Sequence, residues 1–381
     1  MKTVGSKIGL IKKLCLLVVL AWAFSCKPLY NAGYEKTPMV DKKLSLPTKR
    51  LHKKLFLTSK KGIILGHQDS PGYGVGWKYD AAVDAFESDV QKATGDFPGV
   101  YGFDLGHIEL DKTHNLDTVG FASMRKNILD AHEKGGVITL SWHLNNPFSD
   151  GSSWDTISAV DKIIPGGAYI KKYEHWVERL ANFVKSLKHK GKGIPVIFRP
   201  FHEMNGNWFW WGDGNCSPSD YVALWKQTVH LLRDKYRVHQ ILYAYSPNIV
   251  DSESTFLKYY PGDAYVDILG IDIYDHNDSE AYAKNVRDNL KILSNIAKRK
   301  NKLYAFTETG SEKIPNEKWF TEILYPNIQA SGIAWILFWR NARESHHYVP
   351  FPGHKSETDF IQFCKSKDIL LLGNLQTIDT Q

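Results

Sequence analysis

Eight short apolar runs recur along this chain, and stretches of helical spacing lie between most of them. The runs are 63–67, 99–104, 137–143, 194–203, 241–248, 266–274, 303–308 and 333–340. Amphipathic helices are predicted over 171–188, 221–236 and 281–298. In the first of these, Tyr173, Trp176, Val177, Leu180, Phe183, Val184 and Leu187 share one face. Such alternation predicts an α/β fold, a single (β/α)8 TIM barrel, and 381 residues with 43% hydrophobic content suffice to build one. A doubly wound sheet alternates in the same way, but its glycine fingerprint is missing. Gly72, Gly74 and Gly76 come close in letters, and no helical run opens there.

A barrel gathers its functional side chains where strands end, because the βα loops form the active face. Polar residues cluster at those ends here: His67, Gln68 and Asp69; Asp104; Trp142 and His143; Arg199, His202 and Glu203; Asn248; Asp272 and Tyr274; Glu308; Trp339 and Arg340. The strand starts read Gly, Ile, Val and Leu. That asymmetry favours an enzyme. The fourth run is the richest, passing through Arg199, His202 and Glu203 into Trp208, Phe209, Trp210 and Trp211. Indole faces stack on the C–H faces of sugar rings, and a carboxylate can meet the oxygen between two rings. The competing explanation is a tryptophan-rich core beside a salt-bridged glutamate. Aromatic content of 13%, with 12 Trp, leans toward carbohydrate.

Glu203 after the fourth strand and Glu308 after the seventh stand out as a pair. Glycosidic hydrolysis needs one carboxylic acid to protonate the leaving oxygen and one carboxylate to attack the anomeric carbon or to activate water. Strands four and seven lie roughly opposite across a barrel mouth. Tyr274 can hydrogen-bond Glu308 and keep it ionised, and Glu203 is expected to hold its proton near neutral pH. A plain salt bridge of Glu308, with Arg340 as a partner, is the structural alternative.

The stretch 199–212, Arg-Pro-Phe-His-Glu-Met-Asn-Gly-Asn-Trp-Phe-Trp-Trp-Gly, resembles the acid/base signature of glycoside hydrolase family 26, whose best-known members are β-mannanases. Gly66 to Asp69 resembles that family's first-strand motif. Ser141 to His143 with Asn146 and Pro147 resembles its third-strand motif, Thr307 to Thr309 its nucleophile motif, and Trp339 to Ala342 its eighth-strand end. The resemblance implies Glu203 as acid/base and Glu308 as nucleophile of a retaining double displacement. It implies that His202, which replaces the Asn of the larger clan, and Tyr274 orient the reacting sugar and the nucleophile. His143, Trp208, Trp339 and Arg340 match sugar-binding positions, and Trp154 resembles an aromatic platform.

No cofactor and no metal is implied. Adjacent His346 and His347 read as solvated or capping residues, Asp275 to Asp278 lacks a calcium loop's terminal Glu, and Cys216 with Cys364 has no ligand spacing, although the two could pair. His67 either lines the site or hydrogen-bonds the barrel below it. The formal charge of +7 falls to +3 without the first 25 residues, which hold Lys2, Lys7, Lys12 and Lys13 and no acid. Nucleic acid is not expected.

That leader, a basic start with an apolar run from Leu14 to Phe24, reads as a lipoprotein signal over 1–25 with Cys26 as the lipidated residue. Residues 26–61, rich in lysine, read as a tether and a solvated N-terminal helix, and 62–381 as the catalytic domain. The expectation is a monomeric lipoprotein of a Gram-negative envelope, on the outer membrane and facing the periplasm or the cell surface. Without lipidation it would be periplasmic or secreted. Its expected reaction is hydrolysis of β-1,4-mannosidic bonds in mannan, galactomannan or manno-oligosaccharides, internally or by stepwise release of mannobiose. A wall built from 145–167 would favour the latter. The alternatives are a mixed-linkage β-glucanase or xylanase of the same family, a non-catalytic glycan-binding lipoprotein, and a metallohydrolase.

Overall fold

Eight parallel strands form a closed ring in a computed structural model, which describes residues 37–378. They are β1 (Ile63–Gln68), β2 (Val100–Asp104), β3 (Val137–Trp142), β4 (Val196–Pro200), β5 (Ile241–Tyr245), β6 (Ile268–Asp275), β7 (Leu303–Ser311) and β8 (Trp335–Phe338). Each pairs with its neighbours in chain order, and β8 closes on β1 through Ile64 opposite Trp335 to His67 opposite Phe338. The fold is the expected (β/α)8 barrel. Parallel strands cannot be joined by tight turns, so helices return the chain along the outside.

Three helices show how local sequence sets this up. The helix Ile170–Ser186 buries Tyr173, Trp176, Val177, Leu180 and Val184 against the barrel wall. Pro218–His230 starts with Pro at its first turn and with the Ser217 hydroxyl accepting from the Asp220 amide. It then widens into a π-turn over Leu231–Lys235, which lets consecutive Leu231 and Leu232 both reach the core, 4% and 0% exposed. Ser279–Lys300 is capped by Asp278 at its start and by left-handed Asn301 at its end.

The N-terminal helix, α1 (Leu46–Thr58), does more than sit in solvent. Leu44, Leu51 and Leu55 pack onto the first interior layer of the barrel, made of Ile64, Val100, Val137, Ile197, Leu242 and Ile268. Residues from Pro38 onward belong to the same compact unit. This helix closes the barrel floor and leaves the opposite mouth to function. The leader and Cys26 lie outside the described residues. Cys216 and Cys364 are both free thiols.

Candidate active site

The chain leaves β4 earlier than its apolar run suggests, and this places the first carboxylate. Expected to reach residue 203, the strand stops at Pro200, because Phe201 and Glu203 adopt left-handed φ of 49° and 54°. Such conformations are costly for residues with a Cβ and tend to occur where function requires them. The turn is pinned by the Glu203 amide donating to the Ser246 carbonyl at 2.8 Å. It aims the Glu203 carboxyl over the mouth. The Trp208 indole N–H donates to one of its oxygens at 2.9 Å, and the Asn248 side-chain amide to the other at 3.0 Å. Asn248 is itself clamped by Asn205, whose side chain accepts from its amide and donates to its carbonyl.

The second carboxylate also depends on an irregularity. Between β6 and β7 the register slips, so that Ile271 faces Phe306 but Asp272 faces Glu308. The extra residue, Thr307, donates its hydroxyl to the Ile271 carbonyl and to Asp272. A bulge of this kind re-aims side chains, and here it brings Glu308 into the mouth. Tyr274 donates to one Glu308 oxygen at 2.8 Å, and Arg199 donates to the other. Arg199 also bonds Asp272 at 2.7 Å. It is 2% exposed, and the Asp272 and Glu308 charges hold its guanidinium protonated despite burial. Glu308 does form a salt bridge, then, but with Arg199 rather than with Arg340.

One oxygen from each of Glu203, Asp272 and Glu308 lies within 4.8 Å of the others. Among the described residues this is the group best arranged to hold an ion, yet Asp272 and Glu308 are already paired with the Arg199 guanidinium. Burial, then the Glu308 charge, push the Glu203 carboxyl up to about 7, against the opposing hydrogen bond from Asn248, the Arg199 charge and the hydrogen bond from Trp208. The two glutamates thus stand in different environments. One is poised to carry a proton at neutral pH, while the other is held between a cation and a phenol.

A second cluster lines the same mouth. Asp104, ending β2, accepts from Ser141 at 2.6 Å and from His143 Nδ1 at 2.7 Å. Burial works to raise Asp104, but the His143 charge and these hydrogen bonds bring it down to about 2. His143 meets His202 Nε2 to Nε2 at 3.1 Å. His202 is held well below the usual imidazole range by burial and by the Arg199 charge, so it stays neutral. Trp154, 52% exposed, stacks on His143 with ring centroids 5.3 Å apart and planes 12° from parallel. Trp339 approaches His143 edge-on at 6.2 Å. Arg340 lies on the same side, bonded to Asp117 at 3.0 Å and to Tyr73 at 3.3 Å.

The structure therefore brings Glu203, Glu308, His143, His202, Trp154, Trp208, Tyr274 and Trp339 to one mouth, with Arg340 beside them. It separates the four aromatics after Glu203. Trp208 reaches the carboxylate, whereas Phe209, Trp210 and Trp211 are buried at 3%, 0% and 0%. Trp210 ties to the Leu144 carbonyl and Trp211 to the His202 carbonyl. Sequence reasoning gave no role to Arg199, Asp272, Asn248, Asn205 or Asp104. All but Asn205 sit at strand ends, which was the available signal.

Of the remaining histidines, His67 is buried and lowered by that burial to about 4. His346 pairs with Glu312 and His347 meets His354.

Residues 40–346 match glycosyl hydrolase family 26. A mannan endo-1,4-β-mannosidase of Bifidobacterium adolescentis is 32% identical over 375 residues, covering 92% of this chain and 37% of the relative. One from Bacillus subtilis strain 168 is 31% identical over 247 residues, covering 62% of this chain and 64% of the relative. The chain thus spans less than two thirds of these relatives' length. A family 26 β-mannanase structure from Bacteroides ovatus is 42% identical, with a TM-score of 0.83, covering 86% of this chain and 96% of that one. With the profile running through both carboxylates and most of the barrel, the chain belongs to glycosyl hydrolase family 26.

Proposed function

We propose that this protein hydrolyses β-1,4-mannosidic linkages with retention of configuration. The observation that carries the reading is the carboxylate pair. Glu203 and Glu308 each present one oxygen within 4.8 Å of the other's, a close approach that supports the retaining arrangement, with carboxyls roughly 5–5.5 Å apart, over the inverting one, in which roughly 6.5–9.5 Å leaves room for a water. Glu308 attacks the anomeric carbon while Glu203 gives its proton to the departing glycosidic oxygen, leaving a glycosyl ester on Glu308. Glu203, now a carboxylate, takes a proton from water, and the resulting hydroxide cleaves the ester and frees Glu308. Arg199 and Tyr274 hold the nucleophile in place, and Asn248 and Trp208 hold the acid.

Mannan as substrate is supported by the relatives, which are mannan endo-1,4-β-mannosidases. The stacked pair Trp154 and His143, with Trp339, offers flat faces for sugar rings. The lipid on Cys26, the outer-membrane location and the monomeric state belong to this proposal as well, the first two carried by the leader's sequence.

The test is product analysis over time on linear mannan, galactomannan, mixed-linkage glucan and xylan. Mannan cleavage is expected, with Glu203→Gln and Glu308→Gln each lowering kcat by at least about a thousandfold. Both variants should still bind polymer. Cleavage of glucan or xylan but not mannan would overturn the substrate, and near-normal activity in both variants would overturn the mechanism.

A further inference from the structure

Charge in this protein is segregated along the barrel axis, which the overall balance of +3 beyond the leader conceals. The segment 42–61 holds Lys42, Lys43, Lys49, Arg50, Lys53 and Lys54, then Lys60 and Lys61, and no carboxylate. It forms α1 and its flanks. Because Leu51 and Leu55 turn inward to close the floor, the cations cover the outward side. Lys42, Lys43, Lys49 and Arg50 are exposed, beside a Leu46 that is 68% exposed.

Neighbouring turns at the floor extend the patch. A two-stranded ribbon pairing Lys188–His189 with Lys192–Gly193 leads into β4 and exposes Lys188, Lys190 and Lys192. Arg237, before β5, is exposed too, on a recess of about 660 Å³ shared with Lys42 and Lys43. The carboxylates of that recess, Asp41 and Asp234, are engaged by His239 and Arg233 at 2.7 Å each.

The opposite end carries an acidic sector. Its first three βα loops, 69–88, 105–120 and 143–169, hold ten carboxylates against three lysines, of which Asp69 and Glu109 are buried and Asp117 pairs with Arg340.

We propose that the floor docks on an anionic phospholipid surface, with α1 against the headgroups and the active mouth facing away. A negatively charged bilayer attracts basic residues within about a Debye length, roughly 8–10 Å, and repels an acidic end. The two effects act together to set orientation, which a uniformly basic protein would lack. Leu46 supplies an apolar side chain among the cations, as on helices that lie in a membrane interface.

The described chain also begins at this face. The Val40 amide donates to Asp267 at 2.8 Å and the Ser45 amide to the His239 carbonyl at 2.7 Å. Cys26 precedes Thr37 by 11 residues in the sequence, so a lipid there would be tethered to the chain that enters the barrel at its floor. The docking depends neither on that lipid nor on the catalytic reading.

Residues 37–381 contain the closed barrel with its own core and can be tested directly by sedimentation with vesicles. We expect binding to phosphatidylcholine vesicles carrying phosphatidylglycerol, none to phosphatidylcholine alone, and release by salt. Lys42→Gln, Lys43→Gln, Arg50→Gln and Lys53→Gln together should weaken binding at least about tenfold, with the rate on soluble substrate unchanged. Removing four cations from Ser279–Lys300 on the barrel's side (Lys284→Gln, Arg287→Gln, Lys291→Gln, Lys298→Gln) should change binding by less than about twofold. Indifference to lipid charge, absence of binding to either vesicle, or equal loss in both variants would overturn the proposal.

Discussion

Glu203 has a carboxyl that burial raises to about 7, and this fixes how activity should vary with pH. A general acid works only while protonated, so kcat/KM is expected to fall on the alkaline side as pH rises through about 7. Trp208 donates a hydrogen bond that favours the ionised form. Trp208→Phe should therefore raise the acid's pKa and move that alkaline limb to higher pH, as read from a pH–rate profile on a small mannoside. A limb that stays put or moves down would separate Trp208 from the acid. At this scale the sequence showed both glutamates, Tyr274 and the histidines, because each ends a strand or sits in a long motif. It showed Tyr274 as a partner of Glu308 and hid the other partners. Arg199 reaches Glu308 across 109 residues and Asn248 reaches Glu203 across 45, and no local pattern encodes such pairings.

Elements were legible where periodicity is strong and less so where irregularity does the positioning. The eight runs gave the barrel because buried parallel strands read as continuous apolar segments. The left-handed turn after Pro200 and the bulge at Thr307 were invisible, since neither carries the usual glycine. The alternation also understated α1, whose lysines suggest solvent although Leu51 and Leu55 seal the floor. Leu55 is 0% exposed, so Leu55→Ala should cost about 2–5 kcal/mol in urea unfolding. It should leave kcat/KM within about twofold, being at the other end of the barrel from the chemistry. A small stability loss would mean that α1 is peripheral to the core.

At the scale of the whole molecule, one barrel presents a mouth built for acid/base work and a floor that is closed and basic. The mouth meets its need for positive charge with Arg199, so exhaustive chelation should leave turnover unchanged. A loss of activity restored by a divalent ion would shift the account to the Glu203, Asp272 and Glu308 trio as a metal site. The most direct test of the central claim is the anomeric configuration of the first product. Proton NMR during the opening minutes of manno-oligosaccharide hydrolysis should show the β-anomer forming first and mutarotating later, as two displacements at one carbon require. Initial release of the α-anomer would contradict the double displacement and the roles assigned to Glu203 and Glu308.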